Sequence, residues 1–257
     1  MRKKTLKSIR SKDKITIMKQ NALILAKWKQ ELDSIDLRIV NVLIHTLQNE
    51  LVIENENLNL FNYEKVIKRK VHIRSSTFKT NGNFGINANK EIFDSLDKIS
   101  NTSTILRDFV DLDGVKYKAK SVRLIDNVGI LDKSNKDKIS DAREEVFEIT
   151  FNEWFLRTST SSFNVKIGNY TSVPLEDYCS IKGKHGKKLY ELLEQKRHRG
   201  TSFSMRLNEL NEYFEIEGSL SVIDQRVLKN NAKKVQTLIP FKYELFKKDE
   251  IVSFKYL

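Results

Sequence analysis

The 257-residue chain has 46 Lys and Arg against 34 Asp and Glu, a formal net charge of +12, and 39% of its residues are hydrophobic. That apolar fraction is enough to build cores and excludes a disordered chain, while 9 glycines and 2 prolines exclude collagen-like and Pro-rich sequences. The positive charge favours a polyanionic partner, with nucleic acid ahead of an anionic membrane surface. The single cysteine, Cys179, cannot form an internal disulfide.

The start of the chain lacks the pattern of a secretion signal, because the basic residues 1–4 are followed by a polar stretch and not by an apolar run. No segment approaches the ~18 uninterrupted apolar residues of a membrane span. We therefore expect a cytoplasmic protein with no membrane partner. Residues 1–14 are basic and without periodicity, which predicts a flexible arm.

In the first half, hydrophobic periodicity begins at residue 15, and Asp33 or Ser34 is placed to cap a strong helix. The stretch 51–87 is basic and hard to assign, and 132–145 has the composition of a loop. The predicted elements, in chain order, are helices over 22–26, 34–48 and 88–99 and strands near 71–73, 105–111, 117–124, 128–131 and 146–151.

In the second half, the polar residues 158–162 indicate a break between domains, and a run of helices then precedes a hairpin. Thr201 or Ser202 is predicted to cap the middle helix. Gly218 supplies the freedom that a tight turn needs before the last helix. The predicted elements are helices over 184–196, 204–214 and 219–237 and a hairpin from 241–245 to 251–256. This is the order of a winged helix.

The helix predicted over 219–237 carries the most specific signal. Its outward face has two stripes at four-residue spacing, and no acid lies on it between Gln225 and Lys234. Gln and Asn can bond adenine bidentately, Arg can bond guanine, and lysines suit phosphates. The alternative is an ordinary solvated face, although such faces usually mix Glu with Lys. The residues of this helix predicted to contact DNA are Ser221, Gln225, Arg226, Lys229, Asn230, Lys233 and Lys234.

A second basic cluster precedes that helix, with only Glu191 and Glu194 among its cations. These side chains could neutralise phosphates beside the reading helix. Equally, they could serve only to keep the surface soluble. The cluster consists of Lys182, Lys184, Lys187, Lys188, Lys196, Arg197, Arg199 and Arg206.

The sequence has no recognisable catalytic constellation. The segment 183–187 is too short for a phosphate-binding P-loop. A rolling-circle nicking enzyme needs a metal-binding His-x-His pair, and no two of the four histidines are closely spaced. The sequence therefore predicts no enzyme activity, no metal and no cofactor.

Residues 185–257 resemble the C-terminal winged helix of the iteron-binding plasmid replication initiators. Weaker likeness in the first half lies in Lys19-Gln20-Asn21-Ala22-Leu23-Ile24 and in Phe147-Glu148-Ile149-Thr150-Phe151. The segments that carry the main resemblance are Lys188-Leu189-Tyr190-Glu191-Leu192-Leu193, Leu207-Asn208-Glu209-Leu210-Asn211-Glu212-Tyr213-Phe214, Ile223-Asp224-Gln225-Arg226-Val227-Leu228-Lys229-Asn230-Asn231-Ala232 and Phe241-Lys242-Tyr243-Glu244.

The resemblance implies an α+β fold of two tandem winged-helix domains, 15–157 and 158–257. It also implies binding of origin direct repeats as a monomer in equilibrium with a homodimer, opening of an adjacent AT-rich segment, and recruitment of the host replication initiator and replicative helicase. A winged-helix transcriptional regulator is the alternative function. By the resemblance, Lys247 and Lys248 mark the wing of the second domain, and Lys68, Arg69, Arg74 and Lys90 contact DNA from the first. From the basic cluster, Lys187 and Arg206 are also predicted to contact DNA.

Overall fold

The computed structural model describes residues 15–53, 70–110, 115–132, 144–159 and 170–257. The predicted arm, residues 1–14, lies outside them and stays a prediction. The described part mixes helices and strands, which confirms the coarse prediction of fold class. Within these ranges, no helix is both long enough and apolar enough to cross a membrane.

The first half runs from residue 15 to residue 159. The order of its elements is β1 (Thr16–Gln20), α1 (Asn21–Ile24), β2 (Lys27–Trp28), α2 (Ser34–Ile53), β3 (Lys70–Arg74), α3 (Ser75–Gly82), α4 (Asn89–Ser100), β4 (Thr104–Val110), β5 (Lys116–Val122), β6 (Ile125–Ile130), β7 (Val146–Phe151) and α5 (Glu153–Ser159). Each predicted helix and strand of the first half is present within about five residues of its predicted bounds, whereas β1, β2, α3 and α5 were not predicted.

The long helix α2 is the centre of the first half. Asp33 caps it, since its Oδ1 accepts hydrogen bonds from the amides of Ile35 (2.7 Å) and Asp36 (3.1 Å). The helix then buries side chains on more than one face, among them Val40 and Leu43. A helix that is apolar on several sides is covered on several sides, as the sequence predicted.

Helix α2 opens a winged-helix order of elements. Strand β3, helices α3 and α4, and the hairpin β6–β7 follow it, and the sheet has the order β3-β7-β6. The central strand β7 places Phe147 opposite Ile73 of β3, and Phe93 of α4 stacks on Phe147. The sheet thus packs against the helix pair on one apolar face.

A second hairpin is inserted between α4 and β6. Strands β4 and β5 pair with each other, and the two-residue strand β2 adds to β4, which gives a sheet of order β2-β4-β5. Arg107 of β4 forms an ion pair of 2.6 Å with Glu212 in the second half. The insertion therefore reaches toward the C-terminal part of the chain.

The second half repeats the winged-helix order. Its elements are β8 (Tyr170–Pro174), α6 (Leu175–Ser180), α7 (Lys184–Arg197), β9 (Ser202–Arg206), α8 (Leu207–Phe214), a final helix that we name α9, and the hairpin strands β10 (Phe241–Phe246) and β11 (Ile251–Tyr256). The sheet order is β10-β11-β9, which corresponds to β6-β7-β3 in the first half.

Helix α9 has three parts: an α-helical start at Leu220–Ile223, a π-helical turn at Asp224–Lys229, and an α-helical end at Asn230–Gln236. The sequence predicted one uniform helix over 219–237. It also predicted a helix from residue 204, which is wrong, because Ser202–Arg206 forms β9 and α8 begins at Leu207. The alternation of Phe203 and Met205 with exposed residues fits a strand with one face packed on the core.

The two halves share one hydrophobic cluster, with α7 between them. Strand β1 pairs with β8, with Ile17 opposite Val173, so the start of the chain joins a strand that follows residue 158. The domain boundary at 157/158 therefore stays a prediction.

Candidate nucleic-acid interface

The outward face of α9 carries all seven side chains that were predicted on it: Ser221, Gln225, Arg226, Lys229, Asn230, Lys233 and Lys234 are exposed. The opposite face is buried through Leu220, Ile223, Val227, Leu228 and Val235. This split follows from the apolar periodicity of the sequence. The exposed amide and guanidinium groups are of the types that hydrogen-bond base edges, and the lysines are of the type that contacts phosphates.

The one acid within the π-helical turn, Asp224, lies under this face. Its Oδ1 accepts a hydrogen bond from the Tyr243 hydroxyl on β10 (3.0 Å), and its Oδ2 pairs with the Lys229 ammonium (2.7 Å). Burial, aided by the hydrogen bond and negative charge of Asp224, raises the pKa of Tyr243 to about 12. Asp224 therefore fastens α9 to the hairpin and leaves the outward face free of acids.

Lys247 and Lys248 lie at the turn that joins β10 to β11, the position of a wing, and both are exposed. Arg206 ends β9 directly opposite Ile251, so it lies at the same end of the sheet as this turn. Its side chain is exposed, and its amide donates to Glu209 Oε2 (2.8 Å) at the start of α8. The hairpin predicted around Lys247 is thus present, and Arg206 lies beside it.

The prediction that Lys187 contacts DNA is wrong. Its side chain is 0% exposed, its ammonium donates to the Tyr178 carbonyl oxygen (2.8 Å), and it lies over the Tyr178 ring. Burial lowers its pKa to about 8. Two neighbours in the predicted cluster also point inward: Lys188 donates to the Tyr213 carbonyl (2.8 Å), and Lys184 pairs with Glu215. Helix α7 is covered on both sides, so these three lysines bond to acceptors of the protein itself.

A family comparison identifies the chain. A family model described as "Initiator Replication protein, WH1" matches residues 16–194, a range that runs from β1 into α7 and past the predicted boundary at 157/158. The chain belongs to this family of initiator replication proteins. The resemblance stated from the sequence is thereby confirmed.

A solved structure has a similar fold over both halves of this initiator: the crystal structure of Pi initiator protein in complex with iteron DNA. It shares 12% sequence identity, and the match covers 95% of this chain and 97% of that chain with a TM-score of 0.60. At this identity the likeness concerns the fold. No curated protein matches the sequence.

Replacing Lys187 by methionine should leave the DNA affinity of the initiator and its salt dependence unchanged, because the buried ammonium neutralises no phosphate. Binding to duplex DNA measured across a salt series tests this. Lys233→Ala, which removes an exposed cation of α9, is the control and should flatten the slope of log affinity against log salt by about one unit. A flatter slope of log affinity against log salt for Lys187→Met would show that Lys187 does contact phosphate.

The structure describes two of the four first-half residues that were predicted to contact DNA. Arg74 is exposed at the end of β3, and Lys90 is exposed in the first turn of α4, while Lys68 and Arg69 lie outside the described residues. Helix α4 holds the place in the first half that α9 holds in the second. Its exposed positions after Lys90 are acidic, namely Glu91, Asp94 and Asp97. Such a face would repel phosphates, so α4 is poorly suited to lie in a DNA groove.

Other chemistry finds little support in the described ranges. No group of three or more His, Cys, Asp or Glu side chains there could hold a metal ion. Cys179 is buried, and burial raises the pKa of its thiol, which disfavours the nucleophilic thiolate. Sequence reasoning missed two residues that shape α9, Asp224 and Asn231. Both lie in the segment that carries the family resemblance, but spacing alone could not show that their side chains bond within the protein.

Proposed function

We propose that this protein initiates plasmid replication by binding direct repeats, called iterons, at the plasmid origin. The observation that carries the proposal is the outward face of α9, where exposed Gln225, Arg226 and Asn230 stand among lysines with no acid between them. Membership of the initiator family supports it. The fold is also similar to that of the Pi initiator, which was crystallised with iteron DNA.

For the binding of iterons, we propose a fold of two tandem winged-helix domains, 15–157 and 158–257, preceded by a basic arm. The second domain reads bases through α9 and contacts phosphates through Arg206 and the hairpin turn. The first contributes backbone contacts from Arg74 and Lys90, together with Lys68 and Arg69, and forms the homodimer. The repeated order of helix, strand, helix pair and hairpin supports this division.

The proposed mechanism is binding without catalysis. Monomers on adjacent repeats would bend the DNA and help to open a neighbouring AT-rich segment, because the bending strain falls on flexible base steps that are easily kinked or unstacked. The bound protein would then recruit the host replication initiator and replicative helicase in the cytoplasm. The homodimer would compete with the monomer and repress the initiator's own gene.

Selection of bound fragments from random and native plasmid DNA, followed by footprinting, tests the proposal. Regularly spaced direct repeats beside an AT-rich tract are the expected result. A lone palindrome would instead indicate a transcriptional regulator. Incubation with supercoiled plasmid and Mg²⁺ is the parallel test for a nicking enzyme, and strand cleavage there would overturn a mechanism without catalysis.

Replacing Lys247 by alanine should weaken binding to every DNA sequence and flatten the salt slope by about one unit, because a wing lysine contacts phosphate and reads no base. Affinities for repeat and random duplexes over a salt series provide the measurement. Lys242→Ala, which removes an exposed lysine from β10 away from the turn, is the matched control. An unchanged slope for Lys247→Ala would remove the hairpin turn from the interface.

A further inference from the structure

The π-helical turn of α9 lies beneath the residues proposed to read DNA. A regular α-helix has 3.6 residues per turn, so side chains four apart rotate by about 40° per step, or about 120° from Ser221 to Lys233. Such drift would spread the two stripes around the helix. The i→i+5 bonding of a π turn puts more residues into one turn and counteracts the drift. The turn therefore accounts for a single exposed face along residues 221–234.

The wider turn creates a hydrogen-bonding problem where the helix returns to α geometry. When i→i+5 bonding changes back to i→i+4 bonding, one backbone carbonyl is skipped and loses its amide partner. Asn231 lies at this return. Its side-chain amide donates to the carbonyl oxygen of Val227 (2.7 Å) and reaches that of Arg226 (3.4 Å). Asn231 thus satisfies the backbone at the C-terminal end of the turn.

Helix α7 leaves room for this side chain. A Cβ atom added at Gly186 would lie 2.8 Å from Asn231 Oδ1 and 2.8 Å from Ile181 Cγ2, both closer than real contacts allow. The amide of Asn231 therefore lies against α7, whereas Arg226 and Asn230 are exposed. Asp224, bonded to Tyr243 and Lys229, holds the other end of the turn.

We propose that Asn231 is a positioning residue for sequence-specific DNA reading, acting through Arg226 and without touching DNA itself. By satisfying the carbonyls of Arg226 and Val227, it keeps the π turn in place, so that Arg226 and Asn230 project on the same side as Gln225 and Lys233. This role rests on the proposed function, because it needs α9 to read base edges.

The experiment compares full-length Asn231→Ala with wild type on repeat and random duplexes, across a salt series. We expect roughly a five- to tenfold loss of affinity for the repeats, the effect of one net hydrogen bond passed on to the reading side chains. Affinity for random DNA and the salt slope should stay unchanged, since no charge is removed. Asn231→Ser should recover most of the loss, because a serine hydroxyl can donate to the carbonyl four residues earlier.

A second variant, on α7, tests the position of the Asn231 side chain without replacing Asn231 itself. Gly186→Ala should displace Asn231 and reproduce the selective loss on repeats, whereas Gly129→Ala, whose Cβ meets nothing within 4 Å, should bind as wild type does. Thermal unfolding of each variant confirms that it is folded. If Asn231→Ala leaves the ratio of repeat to random affinity unchanged, whether both affinities stay the same or fall equally, the positioning role alone is overturned. If wild type itself does not prefer repeats, the proposed function fails and the positioning role fails with it.

Discussion

Replacing Glu191 by alanine should lower the free energy of unfolding by about 3–5 kcal/mol, the cost of leaving one member of a buried ion pair without its partner. Glu191 Oε1 lies 2.6 Å from the Lys19 ammonium, and the two side chains are 4% and 3% exposed. The Asn41 amide donates to the same oxygen (3.2 Å). With Glu191 gone, a charged ammonium and an amide would both be buried without this acceptor.

Urea denaturation of the full chain measures this effect. Two variants control for it. Lys19→Met combined with Glu191→Leu removes both charges and should recover most of the stability, since well-packed apolar residues often replace a buried pair at no cost. Glu212→Ala breaks the Arg107–Glu212 pair, which has the same length of 2.6 Å but is half exposed, and should cost only ~0.2–1 kcal/mol. A loss for Glu191→Ala as small as that for Glu212→Ala would mean that water reaches the buried pair.

The buried pair also explains where charge patterns in the sequence mislead. Lys19, Lys187 and Lys188 look like surface cations in a basic chain, but each ammonium bonds inside the protein. These positions become internal because α7 packs against α1 and α2 from the first half and against α9 from the second. Lys19 of β1 pairs with Glu191 of the same helix. The spacing of residues in the sequence predicts which side chains share a face of a helix. It does not show that other parts of the chain will cover that helix on two sides.

Periodic segments were predictable where one face alone is buried. Strand β7 alternates, α4 has a narrow apolar stripe, and α9 separates an apolar face from a basic one, and each was found close to its predicted range. The π turn was not predictable, because an i, i+4 stripe fits an α-helix almost as well. Strand β9 was mistaken for a helix because Thr201 and Ser202 resemble caps, while the strand depends on pairing with the distant β11.

The contrast between α4 and α9 argues for a division of labour between the halves. Both helices occupy the same place in a repeated order of elements, but α4 exposes Glu91, Asp94 and Asp97 where α9 exposes Arg226, Lys233 and Lys234. Phosphates favour the second surface and disfavour the first. In the proposed complex, α9 therefore enters the DNA groove and the acidic face of α4 stays out of it, while the backbone contacts of the first half come from Arg74 and from Lys90 at the start of α4.

That assignment makes Arg226 the most sensitive test of α9. Replacing Arg226 by alanine should cost about 1–3 kcal/mol of binding to the repeats and relax the preference at one base position, as expected for a bidentate contact to guanine. Affinities measured for the repeat and for a set of single-base variants give both numbers. Arg226→Lys should rescue little, because a lysine keeps the charge but lacks the planar fork that matches two acceptors.

Lys234→Ala provides the matched comparison, since Lys234 is exposed on the same stripe as Arg226, two helical turns further along. Because Lys234 is expected to contact phosphate, its replacement should lower the affinity for repeat and random duplexes alike and leave the base preference unchanged. The two variants thus distinguish a contact to base edges from a contact to phosphates on the same helix face. If Arg226→Ala lowers the affinity for both duplexes equally and changes no base preference, Arg226 contacts phosphate only. The base contacts must then come from Gln225 and Asn230.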